Sequence, residues 1–388
     1  MRTRGSWNKL VVVAILGLGA WGCQLRTSGL PDAAESTGGA TGSGGEIVGE
    51  GGTGGTTDID DATGIDGEST CSNAARLPCD IYAAEGGPCV AAHSTVRSLR
   101  AAYTGPLYQV RRADGQLKDI GLLAPGGLAN SADQDEFCGD SACTISIIYD
   151  QSGKGNHLTK APPGGMKKTG DDEADAKAVP IYIHGQKVYG EHNPAGVGYR
   201  NNKPKGTTTG DNAQTMYMVA SGEYYNDKCC FDYGNAETNS MDNGEGTMEA
   251  VYFGTCTNWN KGFGDGPWVM GDLENGLWAG NASPYNQNTP VHYKYVTGLV
   301  KGDNAGLNHW AIKAGDAQSG SLRTMFDGPR PSKLYNPMRK EGAIILGTGG
   351  DNSNTGQGNF FEGVMTTHFS TDAADTYVHD NIVSVYGP

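Results

Sequence analysis

The chain has 388 residues and a formal net charge of −14, from 29 basic and 43 acidic residues. An acidic chain without clusters of lysine and arginine argues against nucleic acid as a partner. The first predicted element is residues 1–23, where Arg2, Arg4 and Lys9 precede an apolar run over 10–20. That run is too short to span a bilayer, so we interpret the segment as a secretory signal.

The signal ends in the tetrapeptide Ala20-Trp21-Gly22-Cys23, with small residues before a cysteine as in bacterial lipoprotein signals. Lipidation of Cys23 and plain cleavage are both open. The chain has nine cysteines, and assigning Cys23 to a lipid leaves an even number for pairing. We therefore favour a cell-surface or outer-membrane lipoprotein over a freely secreted protein. Export puts the other cysteines in an oxidising compartment, where disulfides form.

Residues 24–70 differ in composition from the rest of the chain, being mostly Gly, Thr, Ser and acidic residues. Such a segment has almost nothing to bury and is expected to be a flexible tether. By random-coil scaling it would span roughly 35–40 Å. We assign the folded body to residues 71–388.

Within this body, short segments rich in β-branched and aromatic residues alternate with Gly, Asn, Asp or Pro clusters. This pattern predicts a mainly β fold with antiparallel sheets, as a sandwich or barrel. Two helices are predicted from apolar spacing, over 91–103 and 371–386. The predicted strands are 144–150, 180–185, 214–221, 247–254, 292–300, 309–315, 342–350 and 360–370.

The usual catalytic signatures are absent. The sequence has no HExxH, CxxC, GxSxG or P-loop motif, and its eight histidines are scattered. GTGGDN (347–352) lacks the last glycine and the following helix of a dinucleotide loop. No metal and no cofactor are therefore expected. Carboxylate chemistry remains, and a β-sandwich rich in Trp, Tyr and Asn suits a sugar.

Two stretches carry acids that could do this chemistry. In GPWVMGDLENGLWAG (266–280), Asp272 and Glu274 would share one face if the segment is a strand. In EGAIILGTGGDNSN (341–354), an apolar strand ends in a glycine turn that presents Asp351. A solvent-facing strand edge and a turn-forming aspartate are the plainer interpretations, and spacing alone favours them.

A third feature is the adjacent pair Cys229 and Cys230 in KCCFDYGNAE (228–237). They could be a metal site, form two unrelated crosslinks, or bond to each other. Neighbouring Cα atoms lie about 3.8 Å apart across a trans peptide, below the usual disulfide range of about 4.4–6.8 Å. A bond between them would close a strained ring, and strain of this kind persists where a site uses it.

From Cys79 to about Tyr386 the chain resembles the catalytic domain of glycoside hydrolase family 54, the α-L-arabinofuranosidases. The matching blocks occur in the family's order and cover nearly the whole body. They are CDIYAAEGGPCVAAHST (79–95), AAYTGPLYQVRR (101–112), ISIIYDQSGKGNHLT (145–159), CCFDYGNAETNS (229–240) and the two acid-bearing stretches above.

The resemblance implies a two-sheet antiparallel jelly-roll, or concanavalin-like, sandwich with a pocket or cleft on one face. It implies that Glu274 is the nucleophile and Asp351 the general acid/base. Retaining hydrolysis then needs Glu274 ionised, with hydrogen bonds from neighbours such as Asn275, and Asp351 protonated at the start. The matching sugar-contacting positions are Asp272, Asn275, Trp259 and the backbone of Gly350.

The resemblance also implies three disulfides, Cys79–Cys89, Cys138–Cys143 and Cys229–Cys230, the last forming an apolar plate against the sugar. Cys71 and Cys256 have no counterpart in the family pattern. We hypothesise that they pair with each other and pin the end of the tether near Trp259. A free thiol at either position in peptide mapping would contradict this.

The function implied is exo-acting removal of arabinofuranose from arabinoxylan or arabinan side chains, and polysaccharides or oligosaccharides carrying arabinofuranose are the expected partners. The alternatives are a non-catalytic surface lectin and a glycosidase of the same mechanism with another glycoside preference. Well-known family members carry a C-terminal arabinose-binding module, whereas this sequence stops at Pro388. We therefore expect weaker affinity for long polymers, with a lipid and tether as the means of localisation.

Overall fold

The structure is a computed structural model, and it describes residues 76–305 and 308–388. The predicted signal, the tether, Cys23 and Cys71 lie outside the described residues. None of the helices in the part that is described is long and apolar enough to cross a membrane.

Three α-helices and eighteen strands lie within the described residues. The helices are α1 (Pro78–Ala84), α2 (Ser131–Cys138) and α3 (Asp372–Tyr386). The strands are β1 (Cys89–Ser94), β2 (Tyr108–Arg112), β3 (Leu117–Ile120), β4 (Cys143–Ile148), β5 (Leu158–Lys160), β6 (Val179–Ile183), β7 (Gln186–Asn193), β8 (Tyr199–Asn201), β9 (Gln214–Ser221), β10 (Asp232–Ala236), β11 (Glu249–Gly254), β12 (Trp268–Asp272), β13 (Leu277–Trp278), β14 (Tyr295–Gly302), β15 (His309–Asp316), β16 (Arg323–Pro329), β17 (Ala343–Leu346) and β18 (Gly358–Thr366).

The strands form two antiparallel sheets. The first has the order β16-β15-β14-β9-β18-β7-β6, with β1 also paired to β18. The second has ten strands in the order β13-β12-β11-β10-β17-β8-β5-β4-β2-β3. The predicted class, a mainly β two-sheet antiparallel sandwich, is confirmed, with three α-helices in place of the one or two expected.

The core lies between the sheets. On β12 of the second sheet, Gly271 is buried under the indole of Trp310 from β15 of the first sheet. A Cβ at Gly271 would lie 2.6 Å from that ring. Gly298 on β14 similarly leaves room for Val251 and Val269 of the second sheet. Small residues on one sheet therefore allow large side chains of the other to interdigitate at native packing density.

The predicted helix over 371–386 is confirmed as α3. Its N-cap, Thr371, accepts a hydrogen bond from the backbone of Ala374 through its side-chain oxygen. Of the predicted apolar face, Ala374, Val378 and Ile382 are buried and Val385 is partly buried. The 3.6-residue period of its apolar residues therefore located this helix in the sequence, and the threonine N-cap is a further signal that the prediction did not use.

The predicted helix over 91–103 is wrong. Residues 91–94 belong to β1, which pairs with β18 and is buried on both faces. After it the chain turns, and Ser94 Oγ accepts hydrogen bonds from the backbone N–H groups of Val96 and Arg97. The apolar residues recur at helical intervals only because a buried strand and a buried turn follow each other, and periodicity alone does not separate these cases.

Two disulfides implied by the family resemblance join neighbouring elements. Cys79–Cys89 links α1 to β1, and Cys138–Cys143 links α2 to β4. Cys256 is buried and has no disulfide partner among the described cysteines. Its predicted partner, Cys71, lies outside the described residues, so that pairing stays a prediction.

Candidate active site

A small pocket that opens to solvent brings together all eight side chains and backbone positions predicted to form the site. Gly276 and Ser353 complete its lining, and the sequence did not single them out. Its lining residues are Cys229, Cys230, Trp259, Asp272, Glu274, Asn275, Gly276, Gly350, Asp351 and Ser353. Glu274 and Asp351, which are far apart in the sequence, therefore face a common space.

The sequence suggested that Glu274 and Asp272 lie on one strand, but the structure places Glu274 in a turn. Strand β12 ends at Asp272, and Glu274 begins the turn to β13 with a φ of 62°. Asn275 follows with a φ of 54°. The turn is held by the Glu274 N–H, which donates to Asp272 Oδ1 at 3.1 Å. Left-handed backbone at non-glycine residues costs energy and concentrates at functional sites.

Asp351 lies on the loop after β17, as predicted from the glycine turn. Gly349 N donates to the Ser353 carbonyl at 2.8 Å, which closes the loop. Ser353 N donates to Asp351 Oδ1 at 2.9 Å and fixes the carboxyl group.

Arg200, on β8, supports this loop through hydrogen bonds. The sequence analysis did not identify it as a site residue. Its Nη1 donates to the Gly350 carbonyl at 2.7 Å and to Asn352 Oδ1 at 3.0 Å. Its Nη2 donates to the carbonyl of Glu237. The guanidinium is buried, and burial lowers the pKa of Arg200 to about 10 despite nearby carboxylates. No motif in the sequence marks this arginine.

Glu237 is a further buried carboxylic acid that the sequence analysis did not assign, although it lies in the matched block CCFDYGNAETNS. Glu237 follows β10. Strands β10 and β12 both pair antiparallel with β11 and therefore run in the same direction. Glu237 and Glu274, which follow these two strands, lie at the same edge of the sheet. Thr247 Oγ1 donates to Glu237 Oε1 at 2.5 Å. A methyl group on Gly350 would collide with Oε2 of both Glu237 and Glu274, so only glycine fits between the two acids and the loop.

The acids of this pocket crowd one another. Burial, and then the negative charges of Glu237, Asp272 and Asp351, raise the pKa of Glu274 to about 11. Burial raises the pKa of Asp272 to about 7. The raised pKa of Glu274 runs against the expectation that this side chain is ionised, and Asn275 does not donate to it as expected. The Asn275 amide instead donates to Asp242 Oδ1 at 3.0 Å.

This crowding predicts that the chain loses stability as pH rises. Folded Asp272 keeps its proton to about pH 7, whereas an unfolded aspartate releases it near about pH 4. Between these values the folded state binds more protons, so the contribution is complete below about pH 4 and is lost as pH rises to about 7. We expect the wild-type Tm to fall by several degrees from about pH 5 to about pH 8. Asp272→Asn should reduce this slope in calorimetry without removing it, because Glu274 also keeps its proton in this range, and exposed Asp140→Asn should leave the slope unchanged. An unchanged slope in Asp272→Asn would contradict the assignment.

The third disulfide joins Cys229 and Cys230 at the wall of the pocket. Cys230 Sγ lies 3.3 Å from Asp272 Oδ2. The Cys229 carbonyl accepts from the N–H groups of Thr355 and Gly356, which ties the pair to the far end of the Asp351 loop. Cys229, Cys230 and Asp272 form the only group of three metal-ligand side chains in the described ranges. Their two sulfurs are bonded to each other and offer no thiolate.

Removing this disulfide should weaken substrate binding. Replacing both Cys229 and Cys230 with serine puts hydroxyls where two sulfurs form an apolar wall. For an arabinofuranoside, the substrate that the family resemblance implies, we expect KM to rise about tenfold, or about 1.4 kcal/mol. The matched control replaces Cys138 and Cys143, which line no part of this pocket, and should keep the wild-type KM. Equal KM values in both double variants would show that the sulfur pair does not contact substrate.

Trp259 completes the pocket with its indole 43% exposed. A half-exposed indole in a pocket is available to a ligand, because a tryptophan that only fills a core is buried.

Comparison with known proteins places the chain in a family. The family model for the catalytic part of alpha-L-arabinofuranosidase B matches residues 78–386. The chain is 55% identical over 314 residues to a probable alpha-L-arabinofuranosidase B of Aspergillus fumigatus, and to an alpha-L-arabinofuranosidase of Hypocrea jecorina. Each alignment covers 79% of this chain and 62% of the relative, so the chain spans less than two thirds of their length.

Solved structures agree with this result. An arabinofuranosidase complexed with arabinofuranosyl-alpha-1,2-xylobiose matches with a TM-score of 0.77 and 51% identity, over 79% of this chain and 65% of that one. A GH54 α-L-arabinofuranosidase soaked with a cyclic sulfate inhibitor matches with the same TM-score and 52% identity, over 79% and 65%. The chain belongs to the family of alpha-L-arabinofuranosidase B catalytic domains, glycoside hydrolase family 54.

Proposed function

We propose that this chain is a retaining, exo-acting α-L-arabinofuranosidase that releases arabinofuranose from side chains of arabinoxylan or arabinan. The observation that carries the proposal is that Glu274 and Asp351, from separate loops, line one small pocket. The pocket is small and opens to solvent, which fits a single terminal sugar and exo-acting rather than mid-chain cleavage. The activity for which the relatives are named and the arabinofuranosyl ligand of one solved structure support the choice of sugar.

In the first step a carboxylate oxygen of Glu274 attacks the anomeric carbon and forms a covalent arabinosyl ester. Asp351 protonates the leaving glycosidic oxygen as the bond to it breaks. In the second step Asp351 removes a proton from water, which attacks the anomeric carbon from the side that the leaving group left. The bond from that carbon to the Glu274 oxygen breaks and frees the Glu274 carboxylate. Two inversions retain the α configuration.

The raised pKa of Glu274 adds a requirement to this mechanism. Glu274 must lose its proton before it attacks, and Glu237 is placed to take it because the Oε2 atoms of both acids converge beside Gly350. Burial raises the pKa of Glu237 as well, so a proton can be shared between the two. Substrate hydroxyl groups that donate to Glu274 would complete its ionisation.

The remaining pocket residues would orient the sugar. Asp272 and Asn275 offer hydrogen bonds to ring hydroxyls, and the backbone at Gly350 allows close approach. The indole of Trp259 and the sulfur pair Cys229–Cys230 would contact the apolar C–H edges of the furanose. These contacts are assigned from the pocket lining and from the family motifs.

Hydrolysis of 4-nitrophenyl α-L-arabinofuranoside by the purified chain, followed by proton NMR, tests the proposal. We expect α-arabinofuranose as the first product, before mutarotation mixes the anomers. Binding of arabinose without hydrolysis would instead indicate a surface lectin. Faster cleavage of another furanoside or a pyranoside would show the same mechanism with a different sugar preference.

We also propose that the chain is exported through residues 1–23 and anchored by a lipid on Cys23, with 24–70 as a tether and 71–388 as the catalytic domain. The basic-then-apolar start and the small residues before Cys23 support this. The relatives named above are fungal and give no support to a bacterial lipoprotein form. Labelling with a radioactive fatty acid should mark the wild type and not Cys23→Ala.

A further inference from the structure

Two exposed methionines lie beside the loop that carries Asp351. The side chains of Met166 and Met241 are 69% and 42% exposed. The other seven methionines in the described part of the chain are buried in the core. Exposed apolar side chains on adjoining loops can form one contiguous apolar surface, and contiguous exposed apolar surface marks binding sites.

The backbone places both methionines against the loop that carries Asp351. Met166 N donates to the Asp351 carbonyl at 3.0 Å, and Gly165 N donates to the Ser240 carbonyl at 2.8 Å. A Cβ on Gly165 would lie 3.3 Å from Asp351 Cβ and 3.8 Å from Met241 Cα. Gly165 is therefore packed between Asp351 and Met241, with Met166 directly after it.

The segment that carries Met241 also reaches the opposite lining of the pocket. Its next residue, Asp242, accepts a hydrogen bond from the amide of Asn275, a lining residue. The segment thus extends from the Asp351 loop to the Glu274 turn, along the edge of the pocket. The two methionine-bearing loops are joined to each other and to the site by hydrogen bonds, which fixes their position relative to the reacting sugar.

A general acid must contact the glycosidic oxygen, so the leaving sugar lies on the side of Asp351. We propose that Met166 and Met241 form the surface that binds the sugar attached through that oxygen, the first residue of the leaving group. This inference rests on the proposed function. Methionine side chains are flexible and polarisable, so they adapt to leaving sugars of different shape, such as a xylose or a second arabinose.

The test compares two substrates of the full chain. Arabinofuranosyl-α-1,2-xylobiose has a leaving group that reaches this surface, whereas methyl α-L-arabinofuranoside has only a methyl group there. For the Met166→Ala, Met241→Ala double variant we expect kcat/KM on the trisaccharide to fall about tenfold, mainly through KM. On the methyl glycoside we expect no change.

Two control variants sharpen the comparison. Replacing both methionines with leucine keeps an apolar surface and should restore most of the activity on the trisaccharide. Leu117→Ala, at an exposed position on the edge strand β3, should leave both substrates unaffected.

The other outcomes each overturn a different claim. Equal loss on both substrates would mean that the methionines act only by holding Asp351. No loss on either would mean that the surface binds no leaving group. A wild type that cleaves neither substrate would overturn the proposed function itself.

Discussion

Glu274→Gln is expected to lower kcat on 4-nitrophenyl α-L-arabinofuranoside by about 10⁴-fold or more, because an amide cannot form the covalent ester. The substitution keeps the size of the side chain and removes a carboxyl group from a crowded site, so the fold should be retained. Initial rates at saturating substrate measure the effect. Activity within about tenfold of the wild type would rule out Glu274 as the nucleophile.

Azide rescue distinguishes the nucleophile from the general acid. The distinction is needed because Glu274, with a pKa of about 11, has the raised pKa that is typical of a proton donor. In Glu274→Ala, azide would enter from the vacated side and give the β-arabinosyl azide. In Asp351→Ala, azide would attack the covalent ester and give the α-arabinosyl azide. The opposite pair of products would show that the two roles are exchanged.

Arg200→Lys is expected to lower kcat by about 10²-fold. One guanidinium bonds to the carbonyls of Gly350 and Glu237 and to Asn352, and an ammonium cannot reproduce this planar set of donors. The Asp351 loop would then shift. A displacement of about 1 Å at a catalytic group can lower the rate by about 10²-fold. Steady-state kinetics on the chromogenic substrate provide the measurement.

Arg330→Lys is the matched control for this substitution. Arg330 is also buried and donates to Glu249 Oε1 at 2.5 Å, on an element that does not line the pocket. We expect it to lower the free energy of unfolding and to leave kcat of the folded enzyme near the wild-type value. If both variants lose kcat equally, Arg200 acts through general stability and does not position the Asp351 loop.

Segments with one clear local signal could be predicted from the sequence. The strand predicted over 214–221 coincides with β9, and α3 begins one residue after the start of its predicted range, following its threonine cap. In each of these segments the pattern that predicts the element lies within a short stretch of consecutive residues. The doubly buried β1 does not, because its pairing with β18 depends on residues far along the chain.

The catalytic pair and its supporting residues differ in the same way. Glu274 and Asp351 stand in glycine-rich turns within motifs that resemble a known family. Glu237 and Arg200 matter because the sheet order brings β10, β17 and β8 together. That order is a property of the whole fold, and no local pattern contains it. The positive φ of Glu274 was missed for another reason. The residues before it have the composition of a strand, and the sequence shows no signal that the strand ends at Asp272.

Trapping the covalent intermediate tests the central claim most directly. The Asp351→Ala variant should form the arabinosyl ester from 4-nitrophenyl α-L-arabinofuranoside and hydrolyse it slowly. Rapid acid quench, proteolysis and mass spectrometry should then find one anhydropentose on the peptide that contains Glu274. A pentose on any other residue, or no modified peptide while nitrophenol is released in a burst, would contradict the account.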